Sequence, residues 1–155
     1  MEQILTDEIN GVKVIKILDK ANMKLAPKVI EILDGCGKTP IFDLSETTYI
    51  DSTFLGLIAK YTMIFKSKND EFLSILRPSS EVLTCLNKTG ILKFLIILDK
   101  DININGKVVK VDEIDNQKLA KHILELHTVL MNLNEANRKE FGKVVELMKK
   151  GSAKC

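Results

Sequence analysis

No apolar run in this 155-residue sequence approaches the roughly 20 residues needed to cross a bilayer. The first residues, Met1-Glu2-Gln3-Ile4-Leu5-Thr6-Asp7-Glu8, carry acids where a secretory leader needs a basic start and an apolar stretch. Cysteine is scarce. Cys36, Cys85 and Cys155 are odd in number and form no CxxC pair, which argues against a disulfide framework or zinc ribbon and for reduced thiols in a cytoplasmic protein. A net charge of +2, with no basic run interleaved with aromatics, gives no footing for direct nucleic-acid binding. Catalytic signatures are missing as well. Gly35-Cys36-Gly37-Lys38-Thr39 lacks the GxxxxGK[ST] register and precedes a strand, where a phosphate loop precedes a helix. His122 and His127 lie five apart, about 140° from each other on a helix, so they cannot chelate one metal, and they read as flanking or partly buried residues. Ser52 has no Gly-x-Ser-x-Gly elbow and no histidine in the first hundred residues. Cys36, flanked by glycines, reads as an exposed bystander thiol. The expectation is a non-enzymatic chain with no cofactor and no metal.

What is present is ordinary globular composition, 45% hydrophobic and 28% charged, with enough length for a real core. Ile4 to Ile9 and Val12 to Leu18 are β-prone runs around Asn10-Gly11, a dipeptide suited to a tight hairpin because both residues tolerate positive φ. Met23, Leu25, Ala26, Val29, Ile30 and Leu33 fall at helical spacing, with Pro27 in the first turn. Pro40 to Leu44 reads as a buried strand, Ser52 to Ser67 as a helix and Glu71 to Leu76 as a strand. A helix capped by Ser79-Ser80 then runs to about Lys88, and Phe94 to Leu98 is another apolar run. A hairpin followed by α, β, α, β, α, β predicts an α/β fold, a mixed sheet packed with helices.

After Leu98 the composition changes. Lys107 to Val111 suits a short strand. Leu119, Ile123, Leu126, Leu130 and Leu133 then occupy a sector of roughly 80° on a helix opened by Asp112 to Asp115. Asn134 to Asn137 interrupts it, and Phe141, Val144, Val145, Leu147 and Met148 mark a second helix. The division expected is a domain over 1–100 and a C-terminal helical hairpin within 101–155, whose apolar stripe must be buried on this chain or on a second copy in a homodimer.

The helix after Asp51 has two faces. Phe54, Ile58, Tyr61 and Phe65 form the core-facing stripe, and Ser52, Thr53, Gly56, Lys60, Met63 and Ser67 the opposite one. Mid-helix glycine costs about 0.5–1 kcal/mol relative to alanine, so something offsets the loss at Gly56: close approach by another backbone, or tight packing inside this chain. Met63 is an adaptable apolar side chain on an otherwise polar face. Asp51 and Ser52 suit an N-cap.

Ile41 to Tyr61, IFDLSETTYIDSTFLGLIAKY, resembles the signature of the STAS domain family, the anti-sigma factor antagonists. Asp43-Leu44-Ser45, Ile50-Asp51-Ser52-Thr53 and Leu55-Gly56 match its pattern in order and spacing. The resemblance covers about residues 2 to 100. It implies that Ser52 is a phosphoacceptor, modified by a serine kinase that is often itself the anti-sigma factor and restored by a PP2C-type phosphatase. The unphosphorylated form would bind that partner, with Asp51, Thr53, Gly56, Lys60 and Met63 on an open docking face. Where the family commonly has Ser-Gly after the acceptor, this chain has Thr53-Phe54, leaving Thr53 as a second candidate acceptor. The runner-up expectations are a non-phosphorylated STAS scaffold subunit of a larger signalling assembly and a small-molecule sensor. A hairpin docked over the helix after Asp51 would be autoinhibitory.

Overall fold

The computed structural model describes residues 1–153 other than 101, 103 and 105. The polar connection at 99–106 is therefore described only in part, and Lys154 and Cys155 lie outside the described residues. Strands β1 (Gln3–Ile9) and β2 (Val12–Ala21) form the antiparallel hairpin expected from Asn10-Gly11, with Ile9 paired to Val12. Both turn residues have positive φ, +52° and +81°. That conformation matches the twist of the flanking strands. Helix α1 (Ala26–Asp34) begins with Pro27 in its first turn. Strand β3 (Ile41–Asp43) runs parallel to β2 and β5 (Ser74–Leu76) parallel to β3, and β6 (Ile96–Leu98) completes that side of the sheet beside β5. Helix α2 (Ser52–Asn69) lies between β3 and β5 in sequence. Helix α3 (Ser80–Lys88) is capped by the Ser79 hydroxyl, which accepts from the Val82 amide.

One element is not in the expected order, and one expected strand finds its partner. The segment read as a loop before Asp51 contains a short strand, β4 (Thr47–Ile50), parallel to the end of β2. It forms because β2 runs to Ala21 through an irregularity at Asp19, where φ is +71°, and so offers a free edge. Strand β7 (Lys107–Val109) pairs antiparallel with β1. The sheet order among the described residues is β6-β5-β3-β2-β1-β7, with β4 on β2.

Helices α4 (Asn116–Met131) and α5 (Glu135–Ala153) form the expected hairpin. The Asp115 carboxylate caps α4 by accepting from the Gln117 amide. The core joins Ile4, Ile15, Ile17 and Phe42 of the sheet to Val29, Phe54, Ile58 and Phe65 of α1 and α2, and it takes in Leu126 and Leu130 of α4. Phe42 and Phe54 meet edge to face at 6.1 Å. Helix α2 thus has two covered sides, one on the sheet and α1 and the other under α4. The hairpin's second anchor lies at the end of α3. There the side-chain amides of Asn134 and Asn137 both donate to the Thr89 carbonyl, at 3.0 and 2.9 Å.

Candidate functional site

The turn into α2 is built by side chains that hold backbone. Buried Asp43 ends β3 by accepting from the Ser45 amide and hydroxyl, at 3.0 and 2.6 Å. Thr47 Oγ1 donates to the Ile17 carbonyl at 2.8 Å, fixing the turn to β2. Asp51 then does two jobs. Its Oδ1 accepts from the Phe54 amide at 2.9 Å as the N-cap of α2, and its Oδ2 accepts from the Met23 amide at 2.8 Å, tying the start of α2 to the loop before α1. Burial pushes the Asp51 carboxyl above the ordinary carboxylate range, opposed by the amides of Phe54 and Met23 and by the neighbouring His127.

Ser52 is the first residue of α2 and is half-buried. Its hydroxyl lies 2.6 Å from Nε2 of His127 on α4. Nδ1 of the same ring lies 2.7 Å from the Ile123 carbonyl, one turn earlier on α4. A carbonyl oxygen only accepts, so in the neutral ring the proton sits on Nδ1 and Nε2 offers its lone pair to the Ser52 hydroxyl, which donates. The imidazole is 6% exposed and packs edge to face on Phe141 of α5, at 5.9 Å between centroids.

The rest of the face continues under α4. Gly56 is buried, and a Cβ built there would sit 2.3 Å from the Leu126 carbonyl oxygen. The close approach implied by a mid-helix glycine is therefore made by this chain's own backbone. Lys60 forms an ion pair with Glu125. Thr53 is 3% exposed, while Met63 is 37% exposed and Ser67 open. The expected open docking face is corrected in this respect: Thr53 and Gly56 are sealed and Ser52 and Lys60 are engaged, because the leucine stripe of α4 finds its apolar partner on this side of α2. The expectation for Cys36 is corrected too. The thiol is buried, donates to the Ile32 carbonyl at 3.3 Å, and burial raises its pKa, so it is not an exposed bystander.

His127 is the residue that sequence reasoning missed. Ser52 and His127 are 75 positions apart, and no spacing rule connects them. The available signal was indirect: a histidine beside Leu126 and Leu130 on an apolar stripe, and a glycine on α2 awaiting a backbone. His122 lies on α4 away from this contact and is partly exposed. Among the described residues no group of His, Cys, Asp or Glu could hold a metal ion, and no helix is long and apolar enough to cross a membrane.

Comparison with solved structures shows the same fold in the anti-sigma factor antagonist SpoIIAA, in its unphosphorylated form. The TM-score is 0.54 at 16% sequence identity, over 63% of this chain and 89% of that one. The α/β STAS-like fold, a mixed sheet packed with helices and followed by C-terminal helices, is the one expected from the Ile41–Tyr61 resemblance. No family model and no curated protein matches the sequence.

Proposed function

We propose that this chain is a regulator of the anti-sigma factor antagonist type, switched by reversible phosphorylation of Ser52. In its unphosphorylated form it binds a serine kinase that also serves as the anti-sigma factor, through the face of α2 that carries Asp51, Thr53, Gly56, Lys60 and Met63, once α4 is displaced from it. A PP2C-type phosphatase restores it. The chain acts in the cytoplasm as a binding protein and not as an enzyme. One observation carries this reading: a hydroxyl at the first turn of α2, directly after strand β4 and the capping Asp51, in a SpoIIAA-like fold.

Position supplies the physics. A phosphoserine adds roughly −1.5 to −2 charges. At a helix N-terminus the unpaired amides and the macrodipole favour that charge by about 0.3–1 kcal/mol, so the fold tolerates it. A partner packed over the same turn meets both the added bulk and a desolvated dianion, so it leaves. The test is intact-mass measurement after incubation with ATP and the serine kinases encoded beside the gene. One phosphoryl increment, absent from Ser52→Ala, is expected. No increment, or one that survives Ser52→Ala, would count against the switch.

A second reading is a non-phosphorylated scaffold subunit of a larger signalling assembly. It is favoured by the cover that α4 places over α2 and by exposed Val144 and Leu147 on α5. Under it, the mass of the chain never changes and assembly partners are lost on substituting Val144 and Leu147 with glutamate.

A further inference from the structure

We infer that the α4–α5 hairpin is an intramolecular competitor for the partner-binding face of α2, latched by Ser52 to His127, and that phosphorylation of Ser52 is incompatible with the latched state. This rests on the function proposed above and supplies its regulation.

Three contacts by consecutive residues of α4 meet three of the residues assigned to the switch. Glu125 pairs with Lys60, the Leu126 carbonyl lies against Gly56, and His127 accepts from Ser52. A partner that uses Ser52, Gly56 and Lys60 must therefore take the place of this turn of α4. The hairpin is held by a narrow set of groups. Among the described residues its sealed apolar side chains are Leu126, Leu130 and Val145, whereas α2 seals Phe54, Leu55, Leu57, Ile58, Ala59, Tyr61 and Phe65. Val129, Leu133 and Phe141 pack against the core only partly buried, and polar anchors at Ser52 and Thr89 add to the holding. Exchange of such anchors for those of a partner is a local event, which leaves the sheet and its β7 extension in place.

Chemistry links the latch to modification. The Ser52 hydroxyl proton is the one donated to Nε2. Replacing it with a phosphoryl group removes the donor and fills the 2.6 Å gap that the ring now spans. Making room at Ser52 moves α4 away from α2, which gives up the close approach of the Leu126 backbone to Gly56. Three states then exclude one another: capped by the hairpin, bound to the partner, and phosphorylated. Partner affinity is reduced by the fraction of molecules that are uncapped, so a change in the latch tunes the switch without touching the partner.

The test installs phosphoserine at position 52 of the full chain by genetic encoding and measures amide hydrogen exchange, with no kinase involved. Loss of the latch is expected to speed exchange across residues 124–131 by about tenfold or more, with β1, β2 and β3 unchanged. His127→Ala should speed the same segment without phosphate, and Ser52→Ala should do so less. Unchanged exchange at 124–131 overturns the inference. So does slower exchange, which would mean that an imidazolium–phosphate pair tightens the latch, and so does loss of protection throughout the sheet, which would mean that the hairpin cannot open alone. Because phosphoserine is installed during synthesis of the chain, failure to find a kinase for Ser52 leaves this result standing, and failure here leaves the kinase experiment standing.

Discussion

Asp51 serves two amides with one carboxylate, and the two substitutions that separate charge from hydrogen bonding have different consequences. Asp51→Ala removes the N-cap of α2 and the acceptor for Met23, a loss of about 1–2 kcal/mol. Asp51→Asn keeps an oxygen for one amide and removes the partly buried charge, so its cost is expected to be under about 1 kcal/mol. The pH dependence has a definite sign. Because burial raises the native pKa of this carboxyl, the native state holds the proton more tightly than the unfolded chain does. The contribution to stability is therefore fullest below the ordinary carboxylate range and is lost as pH rises through the elevated native value. Denaturant titrations of wild type and Asp51→Asn across the acid range check this: the variant should show the flatter profile.

The contact between α2 and α4 rests on one glycine. In isolation Gly56→Ala should favour the helix by about 1 kcal/mol. Here the added Cβ meets backbone atoms of Leu126, which cannot rotate away as a side-chain end would. Overpacking of that kind costs about 1–3 kcal/mol, which outweighs the propensity gain. Chemical denaturation should show a net loss for Gly56→Ala, and a stabilised variant would contradict the close approach. At this scale part of the site was legible. Gly56 announced a close contact on α2, and the Leu119–Leu133 stripe announced that α4 has something to bury. Neither says what it meets, because a stripe reports the need for a partner surface and not its identity. The same reasoning explains why β4 was missed: four residues are too few for a periodic signal, and the strand forms only because the edge of β2 is there to pair with it.

For the molecule as a whole, the sheet and the hairpin differ in how much they seal. Phe42 lies at the centre of the core, and Phe42→Ala is expected to cost about 3–5 kcal/mol and to speed exchange everywhere. Leu130 is as fully buried, but it belongs to the hairpin. Leu130→Ala should speed exchange in α4 and α5 while β2 and β3 keep theirs, since a segment that opens locally limits the damage to itself. Uniform acceleration in Leu130→Ala would show that sheet and hairpin open together. What the sequence determined by itself is whatever neighbouring residues settle between them: the Asn10-Gly11 turn, the alternation of strands and helices, the caps at Asp51, Ser79 and Asp115, and the hydroxyl set at the head of α2. Only the tertiary structure decided that β7 returns to β1, that the outer side of α2 is covered, and that His127 reaches Ser52. These depend on which of several apolar surfaces meet once the chain closes on itself, and burial is non-directional, so local pattern carries no address for it.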